Sequence, residues 1–477
     1  NKMTIMKNNF MKKFVSAIAS ALIFTSAIPF LSMAHDGDLE TVTDVLTDGS
    51  FNYELVDDTY TITKCVATIV TKVPAIQNGV PVTAIGDDAF LNCTGISELT
   101  IPETIKTIGE SAFAGCSSLE KIELPRKLQS IGANAFAGCN SLTSLTIPEY
   151  VTEIPDYAFF RCDGLTEVNL PDSITKIGAL SFYQCTRLEK LKLPKQLNEI
   201  GELAFGEMYS INEIDANNCA NFVVEDGFLL NKDKTVIERA YTSLEGDVYI
   251  PDTVTEISSG AFSTCGGIIN LFIPQSVTTI GYDAFKLCGN IKNIDFSEGL
   301  VIIKENAFMF NSSIESVSLP TTLTTIEKNA FAYCENLNKV VMPEGIKTIG
   351  EDAFLACDKL KEINVPKSIT SIGNDAFGYT IENQARTKQS DFKMSVFSNS
   401  AGEKYSKDNG FESNVTDKSL KKMAFIIIAV GLLLAIIVFS IVLMSRSRKG
   451  ASLSAKKAKK IADEKAEEEN YEKIIED

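Results

Sequence analysis

Apolar residues return along this chain on a fixed beat. Phenylalanine stands at Phe90, Phe113, Phe136, Phe159, Phe182 and Phe205, and again at Phe262, Phe285, Phe308, Phe331, Phe354 and Phe377, with 23 residues between successive members of each group. The stretch LTSLTIPEYVTEIPDYAFFRC, Leu142 to Cys162, shows the whole unit: Leu-x-x-Leu-x-Ile-Pro, then Val-x-x-Ile, then Ala-Phe-x-x-Cys. Leu145 and Ile147 alternate with polar residues and predict a short strand, which Pro148 ends by removing a ladder donor. Val151 and Ile154 predict a second extended piece, and the Ala-Phe pair a turn that tucks inward. One such unit cannot bury its own phenylalanine. Stacked units can, so the pattern predicts a solenoid of twelve turns in two blocks of six. Glycine recurs after the second extended piece (Gly86, Gly109, Gly132, Gly178, Gly201, Gly281, Gly350, Gly373), where a left-handed corner is expected.

The beat fails once. Phe205 and Phe262 are 57 residues apart, one period plus 34. Within the extra length, Asn221–Ala240 holds two β-rich runs around Asn231-Lys-Asp-Lys, which predicts a hairpin projecting from the coil. At the ends, Phe51–Gly86 alternates with period two and predicts a β cap over the first turn, while Asp391–Phe411 reads as a strand and helix closing the last. The fold class expected is α/β, a β-rich repeat solenoid with two caps.

Two further apolar segments lie outside the repeats. Lys7, Lys12 and Lys13 precede the run Phe14–Leu31, and Ser32-Met33-Ala34 has the small-x-small form of a signal peptidase site. Met423–Met444 carries no charge over 22 residues, enough at roughly 1.5 Å each to cross a hydrocarbon core. Arg446, Arg448, Lys449 and four lysines between 456 and 460 follow it, which places that side in the cytoplasm. The expected organisation is a signal peptide (1–34), N-terminal cap (35–82), first repeats (83–211), insert (212–250), second repeats (251–380), C-terminal cap (381–414), stalk (415–422), transmembrane helix (423–444) and cytoplasmic tail (445–477). The exported part would carry 32 basic against 54 acidic side chains, a net of −22, which excludes nucleic acid as a natural partner.

Candidate chemistry is sparse. A single histidine, His35, and no tryptophan leave few routes to hydrolytic or zinc chemistry. The cysteines look richer, but nine of the eleven occupy one slot, three residues after a phenylalanine: Cys93, Cys116, Cys139, Cys162, Cys185, Cys265, Cys288, Cys334 and Cys357. Met208, Asn311 and Thr380 fill the same slot elsewhere. Side chains on one ladder point the same way, so a packing role is expected rather than disulfides or a metal. Cys65 and Cys219 lie outside the ladder. Glu225, Asp226, Asp233 and Asp247 lack the spacing of a calcium loop and are read as solvated turns. No cofactor and no enzymatic activity are expected.

The unit Ile-Pro-x-x-Val-x-x-Ile-Gly-x-x-Ala-Phe-x-x-Cys-x-x-Leu-x-x-Ile resembles the 23-residue leucine-rich repeat of BspA-like surface proteins. That resemblance covers about residues 51–414 and implies adhesion to proteins of a host or a neighbouring cell. The candidate binding residues come from register. In each unit the residue between the last two apolar strand positions should face outward, and these are polar except for Phe272 and Val341. Phe272 with Ile269 forms one candidate patch, expected to be covered by the folded-back hairpin or to bind a partner. The unit around Phe308 gives a second: Val301 and Ile302 replace polar residues, and Met309 and Phe310 follow in slots expected to face outward. Two functions remain open: a membrane-anchored cell-surface protein-binding module, or an envelope anchoring protein that uses the solenoid as a spacer.

Overall fold

The computed structural model describes residues 46–416, with Leu432 and Ile436 besides. The expected signal peptide, transmembrane helix and cytoplasmic tail lie outside the described residues. Two compact units divide at residue 414, and the account below concerns the first. Among the described residues no helix is long and apolar enough to cross a membrane.

Each 23-residue unit makes one turn with three sides. The first is a three-residue strand such as Ser144–Thr146, paired in parallel with Glu167–Asn169 one unit on. Its centre is buried and its ends exposed, as period-two alternation dictates. The second is a two-residue strand such as Glu153–Ile154, paired in parallel with Lys176–Ile177. The third holds the phenylalanine and is not a strand. Its backbone alternates, with left-handed residues two before and two after the phenylalanine: Asp88 (φ 56°) and Asn92 (φ 58°) flank Phe90, and Asp283 (φ 54°) and Leu287 (φ 63°) flank Phe285. Alternation points every second N–H at the next turn. Asp88, Phe90 and Asn92 donate to the carbonyls of Glu110, Ala112 and Ala114 at 2.9, 2.7 and 2.7 Å. Those bonds hold a conformation that L residues otherwise avoid.

The corner glycines work differently from the sequence expectation. None of the eight has a positive φ. A Cβ on Gly109 would lie 2.5 Å from the Asp87 nitrogen, and one on Gly132 would lie 2.4 Å from the Glu110 nitrogen. Glycine is needed because successive turns approach too closely for a side chain.

Inside the coil the phenylalanines form two stacked columns. Ring centroids from Phe113 to Phe136 lie 5.3 Å apart, and from Phe285 to Phe308 5.1 Å, with planes within 9° and 2° of parallel. Such pairs contribute about 0.5–1.5 kcal/mol beyond the area they bury.

Both columns start on the same device. In the N-terminal cap, Phe51–Val56 and Thr59–Cys65 pair antiparallel, and the second strand runs parallel to Val80–Ile85. Phe51 meets Phe90 edge-on at 5.8 Å. The insert copies this plan rather than projecting. Phe222–Glu225, Phe228–Asn231 and Val236–Ala240 pair antiparallel in series, and the last runs parallel to Glu256–Ile257. Phe228, Leu229, Leu230, Ile237 and Ala240 are buried, and Phe228 meets Phe262 at 5.7 Å. Its apolar residues belong to the core, which leaves no projecting hairpin.

The C-terminal cap has the strand Lys393–Val396 and the helix Ala401–Asp408. Ser400 caps the helix by accepting from the Glu403 N–H, and Glu403 accepts in return from the Asn399 N–H. The Tyr405 hydroxyl, donating to the Phe377 carbonyl, seals the last turn. A hairpin, Tyr379–Glu382 with Ala385–Lys388, precedes this cap. Met309 is buried with Ala332, Leu355 and Ala356, and Tyr379 and Ile381 of the hairpin pack against them, so Met309 does not face outward as expected. With Ala401–Asp408 the one helix described from end to end, the described chain is a β-solenoid rather than an α/β fold.

Candidate protein-binding surface

The joint between the blocks holds the chemistry that the regular turns lack. On the phenylalanine side, the Phe205 turn meets the Phe262 turn although 57 residues separate them. The Glu207 N–H donates to Ser263 Oγ at 2.9 Å, and Thr264 Oγ1 donates to the Met208 carbonyl at 3.3 Å. Between them lies Arg239, fully buried. Its guanidinium donates to the carbonyls of Gly260 (2.7 Å), Met208 (3.0 Å) and Ser263 (3.0 Å), and to Ser263 Oγ (3.0 Å). One planar fork thus ties the last turn of the first block to the first turn of the second. Burial lowers the Arg239 pKa from its ordinary value.

Next to it is a buried ion triad. Lys286 Nζ lies 2.8 Å from Glu207 and 3.0 Å from Asp283. Burial alone would push Glu207 up, but the Lys286 ammonium and hydrogen bonds from Tyr183 and Gln184 together hold it below the usual carboxylate range. Asp283 goes the other way, to about 6, because burial outweighs its lysine. A cavity of about 260 Å³ opens beside the joint, lined in part by Glu202, Glu238, Glu256, Ser258, Ser259 and Lys304. Glu202 accepts from Ser259 Oγ and Glu238 from Ser258 Oγ.

The predicted binding residues fall on different sides of the coil. Ile269 and Phe272 share the strand Ile268–Ile273, Ile269 being 41% exposed and Phe272 half-buried. The hairpin does not cover them. Tyr249, on the strand Gly246–Tyr249 that follows it, pairs in register with Phe272, and the rings stack 4.4 Å apart and 5° from parallel. Tyr249 is itself 56% exposed, so the pair forms an aromatic step on the outer face. Beside it runs an amide ladder: Asn270 donates to Asp247 at 2.5 Å and Asn293 donates to Asn270 at 2.7 Å. The step exists because the outer sheet restarts at Gly246–Tyr249, the first strand of its sheet. Tyr249 escaped the sequence reading because it lies inside the insert, where the repeat register gives no numbering.

Val301 and Ile302 lie on the second side, half-buried. Ile302 stands in a ladder of β-branched residues, between Thr279 and Thr325, which share its cover. Phe310 lies on the third side, stacked 4.7 Å from Tyr333 and packed on the Met309 group. The three candidates are therefore not one site.

The cysteine ladder has a role that packing alone does not describe. Cys139 donates to the Phe113 carbonyl at 3.3 Å, Cys162 to Phe136 at 3.1 Å, Cys185 to Phe159 at 3.3 Å and Cys288 to Phe262 at 2.9 Å. Asn311 Nδ2 makes the same bond to Phe285 at 2.8 Å. In these turns the slot therefore holds a buried donor to the turn before it, whereas Met208 fills it without one. Burial pushes the thiols of Cys162 and Cys334 up to about 12 and those of Cys139 and Cys185 well above their ordinary value, which leaves them unreactive.

Known proteins share this architecture. A leucine-rich cell surface protein of Faecalibacterium prausnitzii is 29% identical, over 72% of this chain and 96% of that one, with a TM-score of 0.58. The pneumococcal vaccine antigen PcpA has the same fold, at 21% identity over 79% of this chain and 99% of its own, with a TM-score of 0.64. No curated protein matches. The model of the BspA-type leucine-rich repeat region matches residues 83–212 and 255–384, six copies each side of the insert's core, and the chain belongs to that family.

Proposed function

We propose that the chain is an exported, membrane-anchored surface protein that binds proteins of a host or a neighbouring cell. The observation that carries this reading is the Tyr249–Phe272 step. It is a stacked aromatic pair left open on an otherwise polar face, flanked by exposed Ile269 and by hydrogen-bonding amides. Rigid aromatics beside adaptable polar groups are the usual makings of an interface anchor. Export and anchoring rest on the segments 1–34 and 423–444, and the acidic ectodomain suits basic or neutral protein partners. The relative from Faecalibacterium prausnitzii is itself described as a cell surface protein.

The test is retention of the full chain, in detergent, on intact cells and on immobilised matrix proteins. Wild type should be retained, and Tyr249→Ser with Phe272→Ser should lose at least roughly tenfold, the scale of an aromatic hot spot. If the variant is retained as well as wild type, the aromatic step is not the site. If neither is retained, the spacer reading gains. Protease added to whole cells should cut the repeats and spare residues 445–477.

A further inference from the structure

Most ladder thiols are committed to the turn before them, and the pattern has an end. Cys116 through Cys185 each donate to a phenylalanine carbonyl 26 residues earlier, as Cys116 does to Phe90 at 3.1 Å. Cys93 is the first of the ladder and has no phenylalanine below it. Twenty-six residues back stands Ala67, whose carbonyl accepts from Cys65 Sγ at 3.5 Å. Cys65 thus occupies the acceptor that the ladder register assigns to Cys93. Cys65 ends the cap strand Thr59–Cys65, and its N–H donates to the Ala89 carbonyl of the first turn at 2.6 Å. Cys93 packs against the core cluster that contains Cys65.

The two sulfurs are unlike. The neighbouring Cys65 thiol, with Lys64 nearby, lowers the Cys93 thiol against the opposing effect of burial. The same contact, then burial, raises the Cys65 thiol. Cys93 is half-buried, whereas its ladder successors Cys116, Cys139, Cys162 and Cys185 are buried. The half-buried sulfur is the one an external disulfide can reach and the buried one its neighbour, the division that thiol–disulfide exchange needs.

We propose that Cys65 and Cys93 form a disulfide that staples the N-terminal cap to the first turn of the solenoid. The oxidant is a low-molecular-weight disulfide, of which glutathione disulfide is the probe. The Cys93 thiolate attacks one of its sulfurs, breaking the external S–S bond and releasing one thiolate. Cys65 then gives its proton to water and attacks the Cys93 sulfur, forming the protein disulfide and releasing the second thiolate. Two protein thiols are oxidised by two electrons, and one external disulfide is reduced to two thiols. The staple acts where a solenoid is weakest, since a terminal unit has a neighbour on one side only. Export, if it occurs, would bring the pair into an oxidising compartment. The geometry can be tested without it, because the oxidant is supplied.

The experiment treats the full chain with glutathione disulfide at pH 8, denatures it, alkylates it and maps the peptides by mass spectrometry. One disulfide, Cys65 to Cys93, is expected, with the other nine thiols alkylated. Oxidation should raise the Tm, dithiothreitol should reverse the rise, and Cys65→Ala should show neither change. Full alkylation of Cys65 and Cys93, or linkage to any ladder cysteine beyond Cys93, would overturn the proposal. So would an oxidant-dependent rise in Tm that persists in Cys65→Ala. The wild-type peptide map decides the matter even if Cys65→Ala does not fold.

Discussion

A regular turn and the joint at Arg239 solve the same problem with different groups. Around Phe159 most bonds to the next turn come from backbone N–H groups, joined by neutral donors at the rim such as the hydroxyls of Thr166, Ser173 and Thr175 and by one thiol, Cys185, at the core side. At the joint the insert separates turns that would otherwise be consecutive, and side chains supply the bonds: a guanidinium for three carbonyls, a serine hydroxyl for one N–H, and a lysine for two carboxylates. Repetition gives stability through many small equal contacts, whereas the interruption concentrates it in a few charged ones. The same interruption restarts the outer sheet and leaves Tyr249 and Phe272 open. Regularity lies in the repeated turns, and the exposed aromatic step at the break.

The sharpest way to break this comparison is Arg239→Met. It would strip donors from the Met208, Gly260 and Ser263 carbonyls, and at about 1.5–3 kcal/mol per hydrogen bond to a charged group the loss should be on the order of 5 kcal/mol. Denaturant unfolding should then show the two blocks melting separately. Lys286→Met should follow, at about 3–5 kcal/mol, because Glu207 and Asp283 would be left buried without their cation. The exposed pair Lys190–Glu213 is the control, and Lys190→Met should leave the denaturant midpoint close to that of wild type, because solvent screens surface ion pairs.

Within a regular turn the comparison rests on the thiol as donor. Cys185→Val keeps the bulk and loses the bond to Phe159, whereas Cys185→Ser keeps a donor, so valine should be the worse by about 1 kcal/mol. If serine proves worse, the slot needs only an apolar filling.

A further effect concerns pH. The folded-state pKa of Asp283, about 6, lies above the ordinary 3.8, so its contribution is fully present below pH 4 and is lost as pH rises through 6. Glu207 is held low and acts in the opposite sense, losing its contribution as pH falls below 4.5. Asp283→Asn should therefore remove a decline in stability between about pH 4 and 6 that wild type shows, as thermal melts across that window would reveal.

Much of the regular part was legible from spacing alone, because a 23-residue period fixes which residues meet: the phenylalanine columns, the paired strands and the buried ladder thiols. The glycines misled because their effect depends on the turn alongside, which a single unit does not contain. A signal for the true left-handed sites was present two before eight of the twelve phenylalanines, in Asp88, Ser111, Asn134, Asp283, Asn306, Asn329, Asp352 and Asp375, short polar residues that tolerate positive φ, and was hidden by Tyr157, Leu180 and Leu203 in three others. The joint was the least legible. Arg239 sits in a run, Val-Ile-Glu-Arg-Ala, that reads as an ordinary half-exposed strand, and the carbonyls that hold it come from residues 21 to 31 positions away. Of the candidate sites, register found Phe272 and Ile269 and missed Tyr249, while the separate patch expected around Phe308 is itself split by the coil, with Val301 and Ile302 on one side and Phe310 on another.

The central claim is that the break in the repeat, rather than the repeat, recognises a partner. Its most direct test compares Tyr249→Ser with Phe272→Ser against Thr146→Ser with Asn169→Ser, the equivalent outward positions of two regular turns. The second protein should melt within a few degrees of wild type, since exposed substitutions cost little, and the first, which loses a stacked pair, should stay folded at the temperature of the assay. The account predicts that retention on intact cells falls at least roughly tenfold for the first and is unchanged for the second. Equal retention of the two variants, or a loss confined to the second, would contradict it.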